Sequence, residues 1–317
     1  MRRSLLLTLC MLCPACGDCG AETTAPAIDA SAPPIESAAP AASSAEIMPE
    51  PRCPPDMVKV KPPRDAIGGG PPLEKSFCVD RYEAMLVDNA TSARVPPYYA
   101  PSRKSASQAA RTWESMRFEM GDPEAQAIPL PTLPAWMLQR DFQPRAVVRK
   151  AVTPNGHVSG EQAVVACGNA RKRLCTWREW RTACGGEKGH QFPYGESYVQ
   201  GECNVFREAH PAAVLHGDAS IGHSDPRLNR VKFNGKPLLR PTAGTPSCAS
   251  RWGEDAIYDM VGNVDEWLDD AEGSFAGGFY SRATKDGCDW LSTAHTIDYA
   301  DYSTGVRCCA DLPQTAR

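Results

Sequence analysis

Residues 256–270 bring together five carboxylates, Asp259, Asp265, Glu266, Asp269 and Asp270, with the amide of Asn263. Ile257, Met260, Val261, Val264 and Trp267 supply an apolar set between them. A helical repeat cannot run through Gly262 and Asn263, a dipeptide that favours a turn or a left-handed backbone. The stretch reads as a compact loop locked by its own apolar residues, with oxygens turned inward. Hard cations take such sites, through carboxylates, amides and the carbonyls of a tight turn. Spacing alone favours a plainer form, a surface turn beside a solvated acidic run.

Cysteine is the second chemical resource, with 14 in 317 residues. Cys10, Cys13, Cys16 and Cys19 repeat at the spacing of an iron–sulfur motif. Two of them lie in an apolar segment that processing would remove, which argues against a cluster. That segment follows Met1, Arg2 and Arg3 and runs through Leu5 to Leu12, the pattern of an export signal too short to span a membrane. Pro14, Ala15 and Cys16 then resemble a bacterial lipobox. Residues 1–15 read as a lipoprotein signal peptide and Cys16 as the lipidated residue, with simple secretion as the alternative. The other ten cysteines, Cys53, Cys78, Cys167, Cys175, Cys184, Cys203, Cys248, Cys288, Cys308 and Cys309, are an even number in an exported chain. They therefore read as disulfides. Zinc would need paired CxxC or HxxxH spacings, which these ten do not offer.

Other chemistry is sparse. The net charge of −4 and scattered basic residues give no nucleic-acid footprint. Arg171, Lys172 and Arg173 read as a solvated strand or loop edge. Asp80, Arg81, Tyr82 and Glu83 form either a charged active-site patch or a salt bridge at a strand end. His216, Asp218 and His223 could make a facial triad for iron, but a polar glycine-rich loop collects such residues by chance. GxSxG, P-loop and dinucleotide-binding motifs are absent.

The elements that would position these residues begin near Cys53. Residues 16–52 are rich in Ala, Pro and Ser and bury too little apolar surface to fold, so they read as a disordered tether. Residues 57–60 and 77–83 are short β-type runs, split by a loop that ends in Gly and Pro at 68–72. Residues 105–119 have helical spacing through Ala109, Ala110, Trp113 and Met116. Pro123, Pro129, Pro131 and Pro134 then forbid long elements. The span from about 88 to 158 reads as an insertion over one face of the domain. Its Tyr98, Tyr99, Trp113, Trp136 and Phe142 read as core packing or as the walls of a pocket. Ser159 caps a helix with Gln162 three residues on, and Ala163, Val164, Ala166 and Cys167 line one side. Thr176 and Glu179 make the same capping box for a second helix, which Gly185 and Gly186 end. Two helices among many loops and short strands indicate an α+β domain with a twisted, mostly antiparallel sheet.

Residues 259–267 (DMVGNVDEW) resemble the signature of the formylglycine-generating enzyme family, the sulfatase-modifying-factor domain. Residues 173–180 (RLCTWREW), 192–195 (FPYG) and 305–308 (GVRC) resemble three more of its blocks. The four stand in the family's order, and the likeness spans about residues 161–308. It implies a large, irregular, loop-rich C-type-lectin-like fold, here over residues 53–313. It also implies the disulfides Cys167–Cys308 and Cys184–Cys288. Each would close a loop of over a hundred residues, worth on the order of 4 kcal/mol in the chain-entropy model. Cys203–Cys248 is the next pairing to expect.

The resembled enzymes oxidise a substrate cysteine to formylglycine, using oxygen and copper(I) held by two thiolates. Their two cysteines fall in the interval matched by residues 277–287, which contains no Cys, His or Met. Copper(I) needs such soft donors, so copper is not expected. A related branch holds non-haem iron through an HxxxH-type motif that this chain lacks. Calcium is the ion that the resemblance does imply. One site would use Asp259, the carbonyls of Gly262 and Val264, and Glu266; the other would use Asn204 and Val205, with Asp218 as a further ligand. Together these readings describe an exported lipoprotein of the cell envelope, anchored to a membrane on its periplasmic or surface side. Its domain would hold a peptide or glycan without the family's oxidase activity. The alternative is a divergent metal-dependent oxidoreductase.

Overall fold

Met57–Val60 (β1) and Phe77–Asp80 (β2) are short runs buried nearly throughout, and they pair antiparallel with Met57 opposite Asp80. In the computed structural model, which describes residues 51–63, 73–206, 208–283 and 285–313, this pair opens one compact unit, Pro49–Arg317. The export segment, Cys16, nearly all of the tether and the loop at 68–72 lie outside the described residues.

The chain continues through β3 (Ala84–Asp88), α1 (Arg103–Met116), α2 (Pro123–Ala127), α3 (Ala135–Gln139) and β4 (Pro144–Val148). Next come α4 (Gly160–Asn169), β5 (Arg173–Leu174), α5 (Trp177–Gly185), α6 (Pro211–His216), β6 (Lys232–Phe233) and β7 (Lys236–Pro237). It ends with β8 (Ala249–Trp252), β9 (Asp255–Tyr258), β10 (Asp265–Trp267), β11 (Phe275–Ala276), β12 (Leu291–Ser292), β13 (Thr304–Gly305) and β14 (Cys308–Asp311). One sheet has the order β1-β2-β14-β5 and another β12-β11-β10-β13; three two-stranded pairs complete the set. All pairings of named strands are antiparallel except β10 with β13. The domain is a mixed α+β fold with irregular loops, as its patterning indicates.

Both capping boxes are present. Ser159 and Gln162 bond reciprocally at the start of α4, and Thr176 and Glu179 at the start of α5. Ala163, Ala166 and Cys167 face the core, but Val164 is 46 % exposed. The buried stripe of α4 follows i, i+3 and i+4 from Gly160 and Ala163, which leaves Val164 on the solvent side. Helix α1 also starts earlier than its apolar spacing suggests. Ser102 Oγ accepts from Ser105 N at 3.1 Å, and this cap sets the boundary ahead of the polar first turn. The prolines hold α2 and α3 to one turn and a half each.

The Arg171–Arg173 run corrects its sequence reading. Lys172 is buried, and its Nζ lies 2.5 Å from Asp80 and 2.6 Å from Asp56. Arg173 pairs with Glu179 and Asp311. Arg171 is exposed and Arg173 about one-third so at the edge strand β5, while the Lys172 side chain turns inward to Asp80 of β2.

Five disulfides staple the fold: Cys53–Cys78, Cys167–Cys308, Cys175–Cys309, Cys184–Cys288 and Cys203–Cys248. Successive side chains of a strand point to opposite faces, so β14 sends Cys308 and Cys309 into two different apolar clusters. Cys308 joins the one around Ala163, Trp267 and Phe275, and Cys309 the one around Trp180, Ile257 and Met260. So many disulfides suit an oxidising compartment. Among the described residues no helix is long and apolar enough to cross a membrane.

Candidate functional site

The loop after β9 is locked as its composition requires. Ile257, Met260, Val261, Val264 and Trp267 are buried, while Asp259, Gly262 and Asn263 take positive φ. Gly262 has no alternative: a Cβ there would stand 2.3 Å from the carbonyl oxygen of Asn204. Asn263 ties the loop to its surroundings. Its Nδ2 donates to Glu83 Oε2 at 2.6 Å, and its Oδ1 accepts from Asn204 Nδ2 at 2.9 Å and Arg240 N at 3.0 Å. Glu83 also accepts from Val264 N at 3.1 Å.

The same two-residue alternation sends the adjacent carboxylates of β10 into two different environments. Glu266 meets Arg307, whose Nε lies 2.8 and 2.9 Å from its two oxygens and whose Nη2 lies 2.7 Å from Oε1. Trp180 Nε1 donates to Glu266 Oε2 at 2.6 Å. The guanidinium is completed by the carbonyls of Asp80 and Tyr258, at 2.8 and 2.7 Å. Glu83 and Asp259 share this buried cage. Burial, and then the neighbouring carboxylates Asp259 and Glu266, push Glu83 well above the usual range. Burial likewise raises Asp259 to about 6, although Ala243 N donates to it at 2.6 Å.

This arrangement bears on the expected calcium ligands. Both Glu266 oxygens are engaged by a guanidinium and an indole, so an ion at Glu266 would have to displace Arg307. Among the described residues, no group of three or more acidic, His or Cys side chains is gathered to hold a metal. Asn204 differs, since its Oδ1 is buried without a hydrogen-bond partner and is free for a further donor or a cation. Val205 follows it in the same buried segment, whereas Asp218 sits on an exposed turn and accepts from Ser220 N and Oγ.

Asp265 points the other way, toward the interval 277–287. Its Oδ2 accepts from Arg282 Nη2 at 2.9 Å, and Ser303 Oγ lies 3.1 Å away. Its Oδ1 is buried with no partner. Ser303 Oγ also lies 2.7 Å from Asp301 Oδ1, and Tyr299 OH donates to Asp301 Oδ2 at 2.7 Å. Burial raises Asp265 to about 7; Arg282 opposes this and Asp301 reinforces it. The Arg282 side chain, about one-third exposed, is sandwiched between the rings of Phe279 and Trp290, at 4.9 and 4.8 Å. Beside it His210 Nε2 lies 3.0 Å from Tyr302 OH, and burial lowers the pKa of that imidazole. Ser281 Oγ donates to Ala209 O and is structural. Chemically, this cluster offers a one-third-exposed guanidinium for a carboxylate, backed by a buried carboxyl group whose pKa burial raises. It offers no thiolate: all ten described cysteines are in disulfides.

Other sequence candidates separate. Asp80 pairs with Lys172 and Arg81 with Asp255, Tyr82 stacks on Tyr258, and Glu83 joins the Arg307 cage. His216 and Asp218 are not brought together with His223. The His216 ring stacks on Trp113 with Nε2 3.1 Å from Asp225, and His223 Nε2 lies 2.8 Å from the Ala219 carbonyl. Tyr99 and Trp113 are buried, and Trp136 packs edge-on against Phe142, as core residues do. Sequence reasoning missed Asp301, Ser303 and His157, which belong to no motif. Arg282 stands in the interval 277–287, but only the fold brings it to Asp265.

The model of the family described as "Sulfatase-modifying factor enzyme 1-like domain" matches residues 135–308, just over half of the chain. No curated protein matches. Among solved structures, the crystal structure of CarF is similar at 14% identity, covering 82% of this chain and 99% of that one with a TM-score of 0.39. The structure of PvdO from Pseudomonas aeruginosa is similar at 14% identity, covering 81% and 91% with a TM-score of 0.34.

Proposed function

Because this chain belongs to the sulfatase-modifying factor enzyme 1-like domain family, we propose that it keeps the family's scaffold as a binding module and does not run formylglycine chemistry. One observation carries the reading. The interval 277–287, where the resemblance implies a pair of thiolates, carries no cysteine; it carries Arg282, paired with Asp265 of β10, and every described cysteine is committed to a disulfide. Copper(I) is a soft ion, and neither a guanidinium nor a carboxylate replaces thiolate sulfur around it. Arg282, whose guanidinium lies 4.9 and 4.8 Å from the ring centres of Phe279 and Trp290, suits a carboxylate-bearing ligand such as a peptide or an acidic glycan. The export signal, Cys16 and the tether support a lipoprotein of the cell envelope. Calcium is proposed at Asn204 and Val205, on the strength of the unpartnered Asn204 Oδ1. At Asp259, Gly262, Val264 and Glu266, Arg307 already supplies the positive charge.

The competing reading, a divergent metal-dependent oxidoreductase, draws support from His210 and His223, whose ring centroids lie 6.4 Å apart beside Tyr302. One experiment separates the two. The mature chain is purified with its disulfides intact, its metal content is measured, and oxygen uptake is followed with a thiol peptide. Calcium without oxygen uptake, together with binding of a carboxylate-bearing peptide or acidic glycan that Arg282→Ala weakens, fits the module. Stoichiometric copper or iron with oxygen consumption overturns it.

A further inference from the structure

A cavity of about 460 Å³ lies between α1 and the start of α4, within the size range of small-molecule sites. His157 forms part of its buried wall. The residue is 5 % exposed, and its Nε2 is buried without a hydrogen-bond partner. Its backbone is left-handed, with φ 58°, a conformation that side-chain-bearing residues seldom adopt. The neighbouring position cannot carry a side chain instead, because a Cβ on Gly156 would stand 2.4 Å from Asn229 Nδ2. The strained turn is held by His157 N, which donates to Asp301 O at 2.8 Å. The chain thus leaves a buried imidazole nitrogen unsatisfied in the wall of the cavity.

The rim narrows the chemistry of an occupant. Gln108 and Thr112 of α1, Glu161 of the first turn of α4, and Asp298 line the opening, with the half-buried ring of Tyr98 on one side. No Lys or Arg is among the described lining residues, so an anion finds no counter-charge. Glu161 and Asp298 are exposed, where a carboxylate holds a cation only weakly. Burial keeps His157 neutral by lowering its pKa to about 4, so the ring has one donor and one acceptor nitrogen. Amide, hydroxyl, carboxylate and neutral imidazole groups together match a ligand whose own groups both donate and accept. A tyrosine ring gives such a ligand an apolar face to lie against.

We infer that this cavity binds a neutral polyhydroxylated ligand, a sugar of one or two rings, with His157 bonding a hydroxyl at its inner end. Neither Asp265 nor Arg282 lines this cavity, so the inference does not depend on the reading given to that pair.

The test uses the intact, disulfide-bonded chain and ligand-observed NMR titrations. The probes are glucose, N-acetylglucosamine and their disaccharides, with putrescine and inorganic phosphate alongside. The expected result is saturable binding of at least one neutral sugar. The Gln108→Ala/Thr112→Val double variant, on the accessible face of α1, should weaken it by about tenfold or more without lowering Tm. His157→Asn, which tolerates a left-handed backbone, should weaken it similarly. If that variant destabilises the fold, the rim variant alone decides. Arg282→Ala should leave sugar binding unchanged. The inference is overturned if no neutral sugar binds, if only putrescine or phosphate does, or if the rim variant binds sugar as tightly as the parent.

Discussion

Replacing Arg307 with Met would test whether the buried cage around it is a charge-balanced support. The guanidinium is fully buried against Glu266, which is itself about 1 % exposed, and it also satisfies the carbonyls of Asp80 and Tyr258. Methionine fills much of the same space but leaves Glu266 with Trp180 Nε1 alone and two buried carbonyls without their donor. Breaking a buried pair from one side costs about 3–5 kcal/mol, and each lost carbonyl bond about 1 kcal/mol. Protonation of the orphaned carboxylates recovers part of this, so a net loss of roughly 5 kcal/mol is expected at neutral pH. For a domain of this size that lowers Tm by about 10–20 °C. Denaturant titration followed by tryptophan fluorescence, with disulfides intact, measures it directly.

Two further arms keep the result interpretable. Adding Glu266→Gln to the variant should restore roughly 2 kcal/mol, because the uncompensated charge disappears. The penalty should also shrink as pH falls. Glu83 and Asp259 already sit above their unfolded values in the parent, so their protonated forms favour the folded state at low pH and that benefit is lost as pH rises. A loss below about 1 kcal/mol, or a double variant no better than the single one, would refute the charge-balance argument.

Asp265→Asn should flatten the pH dependence of stability. Its folded carboxyl sits at about 7 against 3.8 unfolded, so it favours folding below that window and loses the advantage as pH rises through it. Tm measured from pH 4 to 7.5 in parent and variant tests this, and parallel curves would contradict it. Removing Cys203–Cys248 with two serines releases a loop of 45 residues' separation and should cost about 4 kcal/mol, read by denaturant midpoint. Gly262→Ala combines a φ of +83° with a 2.3 Å approach to Asn204 O. It should destabilise by at least about 2 kcal/mol, and a neutral result in the same assay would show that the loop can shift.

What the sequence discloses here is what local chemistry decides. The caps at Ser159 and Thr176 are legible because a side chain bonds a backbone group three residues away. The Gly262 turn is legible because one residue type fits it. Family likeness carries the reading further, to Cys167–Cys308 and Cys184–Cys288, but gives nothing for Cys175–Cys309. Adjacent cysteines on a strand have opposite facings that only the sheet assigns. The site residues are harder still. Asp265, Arg282, Asp301 and Ser303 meet because β10 runs alongside β13 and the interval at 277–287 folds back over them. No spacing rule encodes that. Lys172 was misread for the same reason: its two carboxylate partners come from the start of the domain, 116 and 92 residues away.

The paired cysteines of β14 have a consequence for biogenesis. Cys167, Cys175 and Cys184 emerge from the ribosome close together, long before Cys288, Cys308 and Cys309, to which each is finally joined. In an oxidising compartment these early thiols meet one another first, and any bond formed among them is a wrong one. Maturation must therefore wait for the last strand or undo early errors by thiol–disulfide exchange. Refolding of the reduced chain should therefore gain yield from a thiol–disulfide exchange catalyst beyond what an oxidant alone gives.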